Sequence, residues 1–499
     1  MGRPSSPPSA VTPAYISGLG LVTLVGAVVR LASLGRQPIG YDEDFTAVVA
    51  QQSVGRILDI VSHDSAPPLF YLAEHGVLTL AHRFGFAPAG SDAFPLVLRL
   101  VPALAGIVLI PMVAALGRRV GGDSAGLWAA AVVALAPATV LLSGFARMYG
   151  PAAALTVAAA VLLWRAVERP AGRRWAAYLA VAVAAVWTSY FSVVALLGVL
   201  AAGLWLRPNR RQASVAIGLT ALAVATIGPW LLAARAQLEH TGQAFWVQPL
   251  SAATLAGTAG QLFAGPGVDG RLPEAPMLTG LQLVAGLAGI ACLAALVPAW
   301  RCLGAAGRRA AQVCLLASSG VAVLVAVSLV RPLLDARYAG VMWMPLFALA
   351  GVGLAALPRR LAVLLVAGLL VPAVALGAVI RNPETSALLP DVQAQAGPND
   401  LVAASWERYL MVLGQASPPI KDRLHVLSEA DLPWYVGTAA YPPGAEIHEI
   451  PGGVPAAGGL VFWIADPDVE PTSLPSGYSV LRSRCVRLVC LTVFGPVAR

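Results

Sequence analysis

The chain has 499 residues, of which 58% are hydrophobic and only 12% are charged, and its mean hydropathy is +0.74. These values exclude an ordinary soluble globular domain. The formal net charge of +8 does not indicate a nucleic-acid partner, because the arginines fall in short clusters between apolar runs and form no basic stripe. The composition therefore predicts a polytopic membrane protein.

A run of about 20 apolar residues is needed to cross about 30 Å of hydrocarbon. We place eleven such spans near residues 14–34, 97–117, 124–143, 150–166, 175–189, 191–206, 213–233, 277–299, 311–330, 339–357 and 361–380. The stretch 175–206 leaves open whether it forms two helices or one kinked span. The pattern predicts an all-α membrane bundle of about 11 transmembrane helices.

Arginine clusters predict how this bundle is oriented. With a cytoplasmic N-terminus, one side of the membrane collects the clusters at 118–119, 165–174, 207–211, 301–309 and 359–360. The positive-inside rule assigns that side to the cytoplasm. The opposite loops are longer and poorer in arginine, and they include residues 35–96 and the C-terminal tail.

Three consecutive carboxylates follow the first span, at Asp42, Glu43 and Asp44. Uncompensated charge is expensive beside a bilayer, so this cluster indicates a site for chemistry or for cation binding. The plainer alternative is a solvated loop end, in which Asp44 caps a helix that starts at Phe45. We expect Asp44 to cap and the other two carboxylates to be functional.

The first outer loop, residues 35–96, contains two apolar stretches that are too short to cross the membrane. Phe45 to Val61 has apolar residues at helical spacing, and Leu69 to Ala81 follows after a Pro-Pro pair. Both stretches predict helices that lie on the membrane surface. Such helices would hold the carboxylates of this loop against the outer face.

The tail from about residue 383 regains polar residues, proline and glycine, and we expect a small extracytoplasmic α/β domain over 383–499. It follows a transmembrane domain over 1–382. Its predicted strands lie near 401–404, 425–427, 460–465 and 486–493, and its best helix spans 406–413. Cys485 and Cys490 could pair across a hairpin in an oxidising compartment, whereas one continuous strand would point their sulfurs apart. The sequence leaves this disulfide open.

The order of several motifs resembles a known family. The motifs are Tyr41-Asp42-Glu43, His63-Asp64-Ser65-Ala66-Pro67-Pro68-Leu69-Phe70-Tyr71, Arg99, and Ser143-Gly144-Phe145-Ala146-Arg147-Met148-Tyr149. Together they resemble the bacterial relatives of the protein O-mannosyltransferases and of the lipid A aminoarabinose transferase, which are GT-C glycosyltransferases. The resemblance is strongest over roughly 35–200 and recurs at Asp335-Ala336-Arg337-Tyr338.

The resemblance implies a membrane glycosyltransferase that takes its sugar from a polyprenyl phosphate and transfers it to an extracytoplasmic acceptor. It assigns the role of general base to Asp42, with Glu43 as its neighbour. Asp64 occupies a position that is acidic in the family. We expect Asp64 and His63 to contact the acceptor or a metal. The implied location is the bacterial plasma membrane, with a cytoplasmic N-terminus and an outer C-terminal domain.

The chemistry of such a transfer supports this interpretation independently. A carboxylate must take the proton of the acceptor hydroxyl, and cations must hold the departing phosphate. Arg147 and Arg337, at outer helix ends, can grip phosphate, and Tyr149 and Tyr338 can add hydroxyl donors. The plainer alternative for both arginines is that they snorkel to lipid headgroups.

These motifs name no certain cofactor, and they leave a divalent cation open. Without a His/Cys ligand pattern, a divalent cation would need Asp42, Glu43 and Asp64 to converge as oxygen ligands. The expected partners are a polyprenyl-phosphate-linked sugar, an outer acceptor and membrane lipids, with no nucleic acid. The sequence names neither the sugar nor the acceptor, which could be a cell-wall glycan, a lipid or a protein.

The main rival is a polytopic transporter or lipid flippase. Transporters tend to show repeated halves and ionisable residues at mid-membrane, and the sequence shows no repeat. A second rival is an inactive relative with a structural role. The enzyme hypothesis makes one geometric prediction: Asp42, Glu43 and Asp64 should converge with Arg147 and Arg337 at one cavity on the outer face.

Overall fold

The computed structural model describes residues 11–35, 39–86, 91, 93–235, 237, 247–266, 274–379, 388–486 and 488–496. The first helices are α1 Pro13–Ser33, α2 Tyr41–Ala50, α3 Val54–Ser62, α4 Leu69–Arg83, α5 Phe94–Leu98, α6 Leu100–Leu135, α7 Pro137–Ser143, α8 Tyr149–Glu168, α9 Gly172–Thr188, α10 Phe191–Trp205, α11 Arg210–Ala225 and α12 Gly228–Ala233. The following helices are α13 Ala252–Ala264, α14 Ala275–Ala294, α15 Leu296–Cys302, α16 Ala305–Ala317, α17 Gly320–Ser328, α18 Ala336–Gly340, α19 Met344–Ala355 and α20 Arg359–Val379.

In the described part of the chain, seven helical stretches are long and apolar enough to cross a membrane. They are Pro13–Ala32, Leu100–Leu135, Tyr149–Glu168, Arg210–Ala233, Ala275–Cys302, Ala305–Ser328 and Arg359–Leu376. Two shorter apolar helices are Phe191–Trp205 and Met344–Ala355. The predicted helical membrane bundle is confirmed, whereas the count of eleven spans and the orientation stay predictions.

Glycine and proline separate neighbouring spans where the sequence predicted a boundary. Within α6, Gly121 and Gly122 leave helical geometry, and Gly122 has a φ of 79°. Glycine tolerates positive φ because it has no Cβ. This break divides α6 at the place predicted between the second and third spans. Ser189, with extended φ and ψ, ends α9 before α10 begins, so the stretch 175–206 is two helices.

The first outer loop differs from its prediction in two ways. Three helices, α2, α3 and α4, replace the two expected, because Gln51 ends α2 and Ser53 caps α3. The prediction that Asp44 is a helix cap is wrong, because α2 begins at Tyr41, with Gly40 as its N-cap residue. Asp44 is instead buried in the first turn, and burial raises the pKa of its carboxyl well above the ordinary value.

The tail forms a six-stranded sheet in the order β3-β2-β1-β4-β6-β5. Its strands are β1 Leu401–Ala404, β2 Leu424–Leu427, β3 Glu446–Ile447, β4 Val461–Ala465, β5 Tyr478–Val486 and β6 Val489–Pro496. Its helices are α21 Leu389–Gln395, α22 Trp406–Gln415, α23 Pro418–Lys421 and α24 Gly453–Ala456. Strands β1 to β4 are parallel, and β6 pairs antiparallel with both β4 and β5.

The run predicted as one strand over 486–493 is in fact part of a hairpin. Cys485 on β5 lies directly opposite Cys490 on β6, and the two form a disulfide. Directly opposed residues of an antiparallel pair lie close enough for such a bond, whereas residues along one strand do not. The structure therefore supports the hairpin alternative that the sequence left open.

The tail sheet rests on the first outer loop. The ring of Tyr41 in α2 packs edge-on against Trp406 in α22, with 5.6 Å between centroids. The Tyr41 hydroxyl donates to the carbonyl of Val436, and Gln51 Nε2 donates to the carbonyl of Gly414 at 3.4 Å. One buried apolar cluster continues from the bundle through α2 into the tail. The predicted boundary at 382/383 lies outside the described residues.

Candidate active site

Asp42 lies in the first turn of α2, where the amide dipoles favour a carboxylate. Its Oδ2 is 2.5 Å from Nη1 of Arg337, across almost 300 positions of sequence. Asp335, the N-cap residue of α18, accepts from the Arg337 backbone N–H at 2.8 Å and from Nε at 3.1 Å. The Arg337 guanidinium is thus held between two carboxylates, one of which is only about one-third exposed.

Arg147 lies in the turn between α7 and α8 and is almost fully buried. Its Nη1 donates to the Tyr71 hydroxyl at 3.1 Å and to the backbone carbonyl of Asp42 at 3.4 Å. The guanidinium carbon also lies 5.7 Å from the centroid of the Phe45 ring, a distance at which a cation and an aromatic face attract. These contacts hold a cation next to Asp42.

Asp64 follows α3, and only 7% of its surface is exposed. Burial raises the pKa of its carboxyl, and the nearby Arg147 partly opposes this rise. Ser65 donates a hydrogen bond to Oδ2 at 3.4 Å. Asp64 therefore holds its proton more tightly than a solvated aspartate does.

These groups line one cavity of about 350 Å³, which we call the Asp42 cavity. Its charged lining residues are Asp42, Asp64, Arg147, Arg331 and Arg337. Its aromatic lining residues are Tyr41, Phe45, Tyr149, Tyr190, Phe191, Tyr338 and Trp434. Helices of the bundle form the floor, and Leu410, Trp434 and Gly437 of the tail complete the wall. Four of the five residues predicted to converge face this one cavity.

Glu43 is the exception among those five. Its carboxylate accepts from Arg99 at 2.8 Å and 2.6 Å, from the Ala146 backbone N–H at 2.7 Å, and from the Gly40 backbone N–H at 3.0 Å. All of these contacts are buried or partly buried. Glu43 therefore has the environment of a structural ion pair, and it lines a second cavity, of about 500 Å³, that meets the first at Arg337.

His63 also lies away from the Asp42 cavity. It is exposed, and its Nδ1 lies 2.9 Å from the backbone carbonyl of Asp59 and 3.1 Å from the Ser62 hydroxyl. Nor do Asp42, Glu43 and Asp64 bring their oxygens together. Among the described residues, only Asp431, Glu446 and His448 place three such ligand atoms within 4.8 Å, and they lie in the tail.

A family model matches part of this chain in sequence, and solved structures match it in fold. Residues 87–240 match the family model described as Dolichyl-phosphate-mannose-protein mannosyltransferase. ArnT from Cupriavidus metallidurans in the apo state is 14% identical, with 96% of this chain and 98% of that chain covered and a TM-score of 0.62. This chain has the fold of a GT-C glycosyltransferase. The resemblance predicted from its motifs is confirmed.

ArnT bound to undecaprenyl phosphate also shares the GT-C fold of this chain, with 14% identity, coverage of 97% and 98%, and a TM-score of 0.58. No curated protein sequence matches significantly. At this identity the likeness establishes the GT-C fold.

No role was predicted for several residues in or next to the Asp42 cavity. Tyr71, which contacts Arg147, was quoted only as part of a motif, and Arg331 was part of an outer turn. Trp434 lies in the tail, where no pattern tied it to the first outer loop. A signal existed for Arg331 alone, because it is an arginine at the predicted outer end of a span, as Arg147 and Arg337 are.

Proposed function

We propose that this chain is a membrane glycosyltransferase that moves a sugar from a polyprenyl-phosphate donor to an acceptor outside the cytoplasm. The observation that carries the proposal is the shared cavity, in which Asp42 and the cations Arg147 and Arg337 face one another. A transporter has no need to place a base and a phosphate clamp around one point, whereas a lipid-phosphate transferase does.

In the proposed reaction, the acceptor hydroxyl loses its proton to Asp42 as its oxygen attacks the anomeric carbon. The bond from that carbon to the phosphate oxygen breaks, and its electron pair leaves with the polyprenyl phosphate. Arg147 and Arg337 stabilise the negative charge that develops on the phosphate. A single displacement inverts the configuration at the anomeric carbon.

Because Asp42 and Arg337 form an ion pair, the donor has to bind before Asp42 acts as the base in this reaction. While Arg337 contacts Asp42, the ion pair occupies an oxygen of the carboxylate that has to accept the acceptor's proton. The donor phosphodiester carries one negative charge, as a carboxylate does, and its two non-bridging oxygens can accept hydrogen bonds from the same guanidinium. Donor binding would therefore release Asp42 from Arg337, and the base would be freed only when the sugar is in place.

The remaining lining residues have supporting roles in this proposal. Asp64 forms a hydrogen bond with a sugar or acceptor hydroxyl, and Tyr149 and Tyr338 donate to the phosphate. Glu43 acts through the fold, because its carboxylate is already occupied by Arg99 and two backbone amides. We place no role on His63 at the cavity, and no step of the proposed reaction is assigned to a metal.

Purified protein incubated with a panel of polyprenyl-phosphate sugars tests the proposal. The panel should include hexoses, pentoses and an aminopentose, together with cell-envelope extract as a source of acceptor. We expect release of polyprenyl phosphate from at least one donor, and a product with inverted anomeric configuration. Donor consumption by none of the panel, with binding of none, would favour the transporter alternative.

A further inference from the structure

The three arginines of the Asp42 cavity are not equally occupied. Arg337 is held by Asp42 and Asp335, and Arg147 by Tyr71 and the Asp42 carbonyl. Arg331 lines the same cavity, yet its guanidinium has no partner among the described residues. A guanidinium presents five N–H donors, so Arg331 offers the cavity an uncommitted binding group for an anion.

Arg331 also lies at the edge of the cavity that faces apolar surroundings. It follows α17, and the two residues before it, Leu329 and Val330, are 76% and 92% exposed. Leu333, two residues after it, lines the cavity. Apolar side chains this exposed at the end of a membrane helix are suited to contact acyl chains. Within three residues the chain therefore passes from a lipid-facing surface to the cavity wall.

Resting on the proposed function, we infer that Arg331 binds the donor phosphate where the donor enters the cavity sideways from the membrane. The prenyl chain stays outside, along Leu329 and Val330, while the phosphate passes from lipid to the guanidinium of Arg331. Arg147 and Arg337 line the same cavity. The phosphate is then held by Arg331 from the lipid side and by the other two arginines within the cavity.

A second path for the prenyl chain exists in the cavity that Glu43 lines. Its wall is mostly apolar, with Leu141, Leu142 and Trp343 among its residues, and it reaches Arg337. It contains no uncommitted arginine among the described residues, because Arg99 is bound to Glu43 and Arg337 to Asp42. The path past Arg331 is favoured because it brings a free cation to the phosphate first.

The test measures binding of undecaprenyl phosphate to the purified chain in zwitterionic nanodiscs, with undecaprenol as the ligand that lacks the phosphate. We expect Arg331→Ala to weaken undecaprenyl phosphate binding about 10-fold to 100-fold, the cost of one charge-assisted contact. Arg331→Lys should recover part of this loss. Neither substitution should change undecaprenol binding. Arg83→Ala is the matched control, because Arg83 is an exposed arginine at the end of α4 that lines neither cavity.

Three results would overturn the inference. The first is wild-type affinity for undecaprenyl phosphate in Arg331→Ala. The second is equal competition by phosphatidylglycerol, which would make Arg331 a general headgroup anchor. The third is loss of binding in Leu141→Trp with full binding in Arg331→Ala, which would assign the prenyl chain to the other cavity. Because binding is measured directly, these results are independent of whether the chain transfers a sugar.

Discussion

At the scale of single residues, the proposed reaction depends on the ion pair between Asp42 and Arg337. The pair is partly buried, and its two members come from α2 and from the N-terminus of α18, so only the folded chain brings them together. Asp335 forms a second ion pair with Arg337. This arrangement lets one anion replace another at the same guanidinium without moving the arginine.

Asp42→Asn separates the role of this carboxylate as general base from its role as the partner of Arg337. We expect transfer to fall by at least about 100-fold, because the general base is lost. Binding of polyprenyl phosphate should become tighter, because Arg337 no longer pairs with a carboxylate. Donor titration and single-turnover transfer measure the two effects, and Asp59→Asn, at an exposed surface position, is the control. Near wild-type turnover would remove Asp42 as the base.

Arg147 tests the phosphate clamp separately from the base. Arg147→Ala should weaken donor binding more than Arg147→Lys, because lysine keeps the charge and loses the bidentate geometry. Arg337→Ala should have a smaller effect in donor titrations, since Asp42 and Asp335 already compete with the phosphate for that guanidinium. Unchanged donor affinity in all three variants would mean that these arginines bind no phosphate.

At the scale of helices, the sequence predicted which segments carry the site better than it predicted which of their side chains face the cavity. Apolar patterns located α4 and α8 to within a few residues. They predicted one helix from Phe45 to Val61 where the structure has α2 and α3, and they placed its start four residues late, since the first turn of α2 is polar and its acids look like a cap. The family resemblance assigned Glu43 to catalysis as the neighbour of Asp42, whereas α2 turns its side chain toward Arg99.

The pair of Glu43 and Arg99 should therefore fix α2 without taking part in the reaction. Glu43→Ala leaves a buried guanidinium unpaired, and we expect a loss of about 3–5 kcal/mol in unfolding free energy. A double variant, Glu43→Gln with Arg99→Met, should recover much of that loss. Thermal unfolding in detergent measures both effects.

Transfer by the stable double variant distinguishes the two roles of Glu43. Turnover within about 10-fold of the wild-type value fits a structural pair, since no group that contacts the donor is removed. A loss as large as the roughly 100-fold expected of a missing general base, in a variant that unfolds at the wild-type temperature, would return Glu43 to the reaction.

At the scale of the whole molecule, the tail is part of the site. Residues far apart in sequence meet at the cavity, and no local pattern could reveal this, because the contact between α2 and the tail depends on packing alone. Arg119 pairs with Glu168 at 3.5 Å and Arg118 with Asp123 at 2.5 Å, so these four residues share one end of the bundle. That this end faces the cytoplasm stays a prediction.

Gly437 tests the tail's contribution. Its φ is +74°, and an added Cβ would lie 2.9 Å from Phe45 and 3.1 Å from Leu410, both of which line the cavity. Gly437→Ala should therefore reduce transfer while lipid-phosphate binding persists. Gly444→Ala is the control, because Gly444 has a φ of +76° and no neighbour within 4 Å. Equal effects in the two variants would show backbone strain alone.

The most direct test of the central claim is a structure of Asp42→Asn bound to a polyprenyl-phosphate sugar that the wild-type protein consumes. The account predicts the sugar in the Asp42 cavity, with its anomeric carbon facing the side chain at position 42 and its phosphate contacting Arg147 and Arg337. A donor bound elsewhere, or one whose phosphate contacts neither arginine, would contradict the account.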